Sequence, residues 1–447
     1  MSIKISRILH AGYVLQCDQT QIAFDPIFEN PFSRNCDAFP NVQFDYEKIR
    51  GLQFSAVFIS HFHDDHCSLE SLNLLDRKTP IYLFCIFEEL FSMIKELGFT
   101  NVHSLELNKT VKVGPFEVTP WPALDVDVDS LFQIKARGFN ILNVVDSWID
   151  YSTLDELIKQ GPWDMIMWPF QTMRELEVIS PTRAEAPSRI LPEEWIGQLR
   201  DLNPRYVIPS SCQLIFESWS WYNQAFFPIS YKQFQKEIET EVSNAEVVRL
   251  NPGVSVVLSK DTLEPSLSLD WIQPLGEQNV DYSYDSDLQP PPTSEISKHF
   301  AALTEEQLET VLEYCRNGLV QKYKTIGSSS AYFEKRRFWK LSVYDHQGKA
   351  TQFLYEVYKE NIERSLQQDA KVSWSTEVPI AKLYAALELG ESLTSMYMRI
   401  NEMSFDEDTE KELEGVDLGE DPLIRCLFNG AICSYQAFQL KQIKGQR

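Results

Sequence analysis

The chain has 447 residues, enough for two or three domains with sizeable cores, and 65 Asp and Glu against 41 Lys and Arg give it a formal net charge of −24. That balance argues against nucleic acid or an anionic membrane surface as the main partner, because both reward clustered cations. Eight cysteines without dense spacing, and no apolar run of about 18 residues, speak against a disulfide scaffold and against membrane insertion. A reducing, cytoplasmic setting is the expectation.

The chain opens as an alternating strand over residues 1–7 and runs into Ile8-Leu9-His10-Ala11-Gly12. Ile22-Ala23-Phe24 then reads as a strand that delivers Asp25-Pro26. The apolar run from Phe54 to Ser60 leads straight into His61-Phe62-His63-Asp64-Asp65-His66, three imidazoles and a carboxylate at H-x-H-x-D-H spacing. A buried strand ending in such a turn leaves His61 and His63 on one side and Asp65 with His66 on the other, so one loop can feed two adjacent cations. Imidazole suits Zn and Fe, and carboxylate adds a harder oxygen that Fe also accepts. The expected cofactor is two divalent ions, Fe or Zn.

A strand pair follows around Val111 to Pro122, and then Asp125, Asp127 and Asp129 alternate with Val126 and Val128. On an extended strand the three carboxylates share one face, so only one or two of them reach a metal. Ile141 to Val145 is a strand that ends at Asp146, Met165 to Trp168 one that ends at Pro169, and Tyr206 to Pro209 one that ends at Ser210-Ser211-Cys212. A lone Asp after a strand is usually a turn or cap residue, but repeated strand ends of this kind predict a shared mouth where chemistry collects. The polar stretch from Gln171 to Ser188, with Arg174, Glu175, Glu177 and Arg183, reads as a lid or binding loop. The aromatic run Phe216, Trp219, Trp221, Tyr222, Phe226 and Phe227 is either core packing or a wall of a substrate pocket.

Residues 270–295, with Pro290-Pro291-Pro292, are expected to form a linker between a catalytic domain over 1–269 and an α+β accessory domain over 296–447. In the accessory domain Thr304-Glu305-Glu306-Gln307 has the form of a capping box, segments at 328–333, 338–344 and 350–355 look like antiparallel strands, and Pro379 to Leu389 reads as a helix. Residues 406–421 form an acidic surface loop on this reading. Val372 to Pro379 is weakly similar to sterol-carrier-type lipid-binding modules.

Taken in order, the strand ending at Asp25, the H-x-H-x-D-H loop, the strand pair, Asp146 and the Ile208-Pro209 strand end resemble the metallo-β-lactamase superfamily over roughly residues 1–262. The opening from Ile8 to Pro26 is similar to the lactonase and phospholipase-D-like branch. The lactamase-fold part of CMP-N-acetylneuraminate hydroxylases is similar at Ile59 to His66, Ile141 to Asp146, Leu202 to Arg205 and Asn251 to Gly253. No cysteine has the spacing to histidine that a Rieske cluster needs, so the hydroxylase cannot be copied onto this chain.

The resemblance implies an α/β fold, an αββα sandwich with a dinuclear site. It implies His61, His63 and Asp125 as one ligand set and Asp65, His66 and Asp146 as the other, with Asp146 a bridge and Asp65 and Asp146 in catalysis. His10, Asp25 and Ser211 would stand close by. Two departures accompany it: Pro122-Ala123-Leu124-Asp125 offers a carboxylate where the superfamily has an imidazole, and Ser210, Ser211 and Cys212 occupy the place of the final histidine. Asp127 or Asp129 could ligate in place of Asp125. The implied chemistry is metal-dependent hydrolysis of a small ester, lactone, amide or phosphodiester; oxidation by a non-haem iron pair is the rival, and a metal-poor binding scaffold the third reading.

Overall fold

The computed structural model describes residues 2–172, 178–180, 187–326, 336–367, 369–400, 422–428 and 433–445. The chain is a mixed α/β protein of two compact units: Met1–Met173 with Ser188–Tyr284 and Gln439–Arg447 form the first, and Arg174–Pro187 with Asp285–Phe438 form the second.

The first unit carries strands β1 (Ser2–Arg7), β2 (Tyr13–Cys17), β3 (Thr20–Phe24), β4 (Asp37–Ala38), β5 (Val42–Phe44), β6 (Ala56–Ile59), β7 (Ile81–Leu83), β8 (Val102–Ser104), β9 (Val111–Val113) and β10 (Phe116–Pro122). It continues with β11 (Ser130–Ala136), β12 (Phe139–Asn143), β13 (Met165–Pro169), β14 (Tyr206–Ser210), β15 (Leu214–Ile215), β16 (Glu246–Val247), β17 (Ser255–Ser259), β18 (Leu263–Ser266) and β19 (Ile272–Pro274). One sheet has the order β18-β17-β1-β2-β3-β6-β7-β8, and a second has β16-β14-β13-β12-β11-β10-β9. Ile3, Ile5, Phe24 and Phe58 of the first sheet share one apolar core with Phe132, Ile134, Ile141, Met165 and Ile208 of the second, so the sheets pack face to face.

Parallel pairing explains why the central strands are apolar throughout. β6, β12, β13 and β14 are buried at every position, as strands covered on both faces must be. The helices at Leu69–Asn73 and Glu88–Glu96 connect β6 to β7 and β7 to β8, while Tyr151–Gln160 and Glu193–Leu202 connect β12 to β13 and β13 to β14. Crossovers between parallel strands must lie on a sheet face, and only the outer faces are free. The layers are therefore helix, sheet, sheet, helix.

Register sets where the strand ends meet. Phe24 pairs with Phe58 in parallel, which brings Asp25 beside the end of β6, and Asp25 N donates to Phe58 O. β11 runs antiparallel to β12 with Phe132 opposite Asn143, so the start of β11 lies at the same edge as the end of β12.

The segment expected as a linker is part of the first unit as far as Tyr284. Trp271 is buried, β19 pairs with β5, and the buried Tyr282 hydroxyl is held by Leu214 N and by the carbonyls of Cys212 and Leu214. Its polar composition marked a surface path, while three aromatic and apolar anchors tie that path down. The chain also returns to the first unit at Gln439, beyond the accessory domain.

The second unit has β20 (Arg337–Tyr344), β21 (Ala350–Tyr358), β22 (Asn361–Arg364), β23 (Trp374–Pro379) and β24 (Arg399–Ile400) in the order β22-β21-β20-β23-β24, with β20 and β23 parallel. The capping box at Thr304 and Gln307 is present, and the helix after Pro379 spans Ile380–Glu388. Residues 328–333 and 406–421, expected as a strand and an acidic loop, lie outside the described residues.

Candidate metal centre

The loop after β6 is held from below by Asp25. Its Oδ1 accepts from Ser60 N at 2.7 Å and its Oδ2 from Ser60 Oγ at 2.7 Å, and Oδ2 also lies 3.1 Å from His66 Nδ1. Ser60 Oγ in turn is 2.9 Å from His61 Nδ1. One imidazole nitrogen of each ring is thereby engaged at the back, which leaves Nε2 of both His61 and His66 facing forward, the arrangement that orients metal-binding histidines.

Two clusters of donor atoms form in front. His10, Asp65, His66 and Asp146 make one, His61, His63 and Asp129 the other, and the donor atoms within each lie within 4.8 Å of one another. In the first, His10 Nε2 is 3.1 Å from Asp65 Oδ2 and 3.3 Å from His66 Nε2, while His66 Nε2 is 3.1 Å from Asp146 Oδ2. In the second, His61 Nε2 is 2.9 Å from His63 Nδ1 and 3.7 Å from Asp129 Oδ1. The rings of His61 and His66, one from each cluster, have centroids 4.1 Å apart. His10 and His66 are buried, whereas His63 is exposed, so the His61 cluster faces outward.

Asp125 does not join either cluster. Residues 125–128 form a turn in place of the extended strand expected there; Asp129 N and Val128 N donate to Asp125 O, and the exposed Asp125 carboxylate accepts from Asp127 N. Asp129 takes the place because it directly precedes β11, whose Ser130 Oγ donates to Ser60 O at 2.8 Å. Ser211 is buried with a left-handed backbone (φ 54°), and its hydroxyl donates to Ser210 O. In the inner cluster the imidazole that comes from outside the H-x-H-x-D-H loop is that of His10. Within the aromatic run Phe216, Tyr222, Phe226 and Phe227 are buried core residues that pack on one another, while Trp219 is half-buried. Arg174, Glu175, Glu177 and Arg183 lie outside the described residues.

Within the two clusters burial and neighbouring charges shift the titrating groups in opposite directions. Burial alone would lower the His66 imidazole, but the Asp146 and Asp65 carboxylates outweigh it and hold it well above its ordinary value. Burial, then His66 and His63, press His61 well below. Burial would raise Asp65 and Asp146; His66 with His10 for the one, and His66 with His61 for the other, reverse this and keep both below the usual carboxylate range. Asp129 goes the other way, pushed up to about 6 by burial and by the Asp146 charge. Asp146 thus acts on members of both clusters.

The donor set fits divalent cations. Asp129 Oδ1 and Asp146 Oδ1 are buried with no hydrogen-bond partner, a costly state for carboxylate oxygens that a cation would relieve. Two imidazoles with one carboxylate, beside two imidazoles with two carboxylates, suit Zn or Fe and not an all-oxygen ion such as calcium.

In the sequence Asp129 is one of three alternating carboxylates, and Ser60 and Ser130 carry no ligand-type signal. Arg7 had a signal: by strand parity it shares the buried face of Ile3 and Ile5. Among the described residues no helix is long and apolar enough to cross a membrane.

No protein-family model matches the sequence, and no curated protein matches it. Among solved structures, Igni18, a metallo hydrolase from Ignicoccus hospitalis, is 16% identical with a TM-score of 0.41, over 58% of this chain and 99% of its own. An isothiocyanate hydrolase from Delia radicum gut bacteria is 14% identical with a TM-score of 0.43, over 57% of this chain and 99% of its own. CmlA, a diiron β-hydroxylase from Streptomyces venezuelae, is 16% identical with a TM-score of 0.39, over 57% of this chain and 53% of its own. The similarity to these proteins is one of fold alone.

Proposed function

We propose that the chain is a metal-dependent hydrolase with a dinuclear centre, acting on a small ester, lactone, amide or phosphodiester. The observation that carries this reading is the pair of adjoining His/Asp clusters built on the strand-end loops of one sandwich edge, with two buried carboxylate oxygens left without partners. His10, Asp65, His66 and Asp146 would hold one ion, and His61, His63 and Asp129 the other, with Asp146 placed to serve both. Divalent ions there would supply Lewis-acid polarisation and a water of lowered pKa.

The protein's own part is positional. Asp25 and Ser60 fix the rings of His66 and His61 from behind, so their forward nitrogens need no reorganisation on binding. Asp65 and Asp146 stay ionised and can each accept a hydrogen from a nucleophilic water. The exposed edge at His63 is the side from which a small substrate arrives.

A second reading, oxidation at an iron pair, is favoured by Asp129: two histidines and one carboxylate around the outer position are the donor set of many non-haem Fe(II) sites. Elemental analysis of the purified protein, followed by a panel of ester, lactone, amide and phosphodiester substrates and by oxygen-uptake measurements, separates the two. Two Zn per chain with hydrolysis supports the first reading. Two Fe with oxygen consumption supports the second, and no bound metal under either reconstitution excludes both.

A further inference from the structure

Arg7 closes β1 with a side chain that is fully buried. Its Nη1 donates to Tyr13 OH at 2.9 Å and to Pro209 O at 2.6 Å, its Nη2 donates to His10 O, and its guanidinium lies 5.1 Å from the centre of the Tyr13 ring. Tyr13 OH passes the chain on to Ser210 Oγ at 3.0 Å. Among the described residues Arg7 has no carboxylate partner, and its Nε is buried without a hydrogen bond. A buried cation satisfied only by neutral oxygens is expensive to keep, and an apolar side chain would pack the same space at lower cost.

What the guanidinium joins gives it a purpose. The turn from Ile8 to Gly12 is closed by Ile8 N to Gly12 O and Gly12 N to Leu9 O, and His10 sits in it with a left-handed backbone (φ 49°), a conformation uncommon outside glycine. Arg7 clamps the carbonyl of that residue and, with the same side chain, the end of β14. The imidazole carried by the clamped turn is the one whose Nε2 meets Asp65 and His66.

We infer that Arg7 is a positioning residue for the inner cation: by tying the His10 carbonyl to Pro209 and to the Tyr13–Ser210 hydroxyl pair, it holds the His10 imidazole in the Asp65, His66 and Asp146 cluster. This rests on the dinuclear reading above. Arg7→Lys keeps the charge but cannot span three separated acceptors. Protein reconstituted with Zn2+ alone and titrated with a chelator should lose the inner ion from Arg7→Lys at least 10-fold more readily than from wild type, with the outer ion unchanged. Tyr13→Phe, a milder change that removes the hydroxyl shared by Arg7 and Ser210, should shift the same ion in the same direction by a smaller factor. It remains informative if Arg7→Lys fails to fold.

His10→Ala separates failure of the inference from failure of the reading beneath it. If His10→Ala loses the inner ion while folded Arg7→Lys, or folded Tyr13→Phe where the lysine variant does not fold, keeps both ions at wild-type affinity, the role of Arg7 is overturned and the site stands. Equal weakening of both ions in the Arg7 variant also overturns it, since that is general loosening. If His10→Ala itself keeps both ions at wild-type affinity, His10 is no ligand and the role of Arg7 falls while a dinuclear centre on the remaining donors stands; wild type that fails to bind two ions overturns the reading beneath.

Discussion

The Asp25 carboxylate lies 3.1 Å from His66 Nδ1, while the other nitrogen of the same ring lies 3.1 Å from Asp146. One imidazole is therefore held between a carboxylate behind the candidate centre and one within it. Asp25 also accepts from Ser60 N and Oγ, so a single buried side chain sets both the ring of His66 and the backbone from which the metal loop departs. Asp25→Asn should keep the shape but weaken the charge-assisted bond that fixes the ring. We expect inner-ion affinity to fall about 10- to 100-fold, as for comparable supporting groups. A chelator titration of folded Asp25→Asn that overlays wild type would show that the ring needs no such support.

The same experiment distinguishes the carboxylates of the 123–129 segment. Asp129→Ala should release the outer ion at least 10-fold more readily, and Asp125→Ala should leave metal content unchanged, because Asp125 only accepts from Asp127 N in an exposed turn. The reverse pattern would return the ligand to the position the family resemblance indicated.

This pair also marks how far the sequence could be read. The H-x-H-x-D-H loop, the strand before it and the strands ending near Asp25 and Asp146 were legible, because apolar runs of strand length ending in ligand-type residues carry their own geometry. Asp129 was not separable from Asp125 and Asp127: which one faces the centre depends on where β11 begins and on the Ser130 to Ser60 bond, a contact across 70 residues. His10 was brought near by family resemblance, but its backbone and its clamp by Arg7 come from the packing of β1 against the end of β14. The stretch 270–284 looked like a linker because its composition is polar, and only the partners of Trp271 and Tyr282 show otherwise.

Gly12 offers a test of that packing. A Cβ there would sit 2.7 Å from Asp25 O and 3.0 Å from Leu9 O, both backbone atoms that cannot swing aside. Gly12→Ala should destabilise the protein by about 1–3 kcal/mol through overpacking. Because Asp25 must move to relieve the clash, the variant should also bind the inner ion more weakly. Thermal melts with and without Zn2+ check both parts, and a wild-type melting temperature would refute the close approach.

Tyr282 tests the reassigned linker. Its hydroxyl serves Leu214 N, Cys212 O and Leu214 O inside the first unit. Tyr282→Phe keeps the tilted ring contacts with Phe227 and Phe39 but leaves these backbone groups short of a partner, at a cost of about 1–3 kcal/mol. A linker residue would show no change in a denaturant titration.

Glu29 predicts a pH dependence outside the metal centre. Burial raises its carboxyl from 4.5 to about 7 against the opposing bonds from Ser68 and Ser71. Ser68 caps the helix after the metal loop, and Gln439 of the returning C-terminal segment reads the same cap through Ser68 Oγ and Leu69 N. The folded state therefore holds a proton on Glu29 that the unfolded chain releases near 4.5. Its contribution to stability is complete below that value and is lost as pH rises through about 7. Part of the residue remains in contact with solvent, so the loss should be about 1–2 kcal/mol and not the full value of the shift. Glu29→Gln keeps the acceptor oxygen without the ionisation, so metal-free wild type and variant should be alike at pH 5 and diverge by that amount at pH 8.5, with the variant more stable. Taking the difference between the two proteins cancels the histidines that titrate in the same window. Denaturant titrations at the two pH values measure it, and a difference that stays constant, or one that favours wild type at the higher pH, would mean that Glu29 is ionised in the fold throughout.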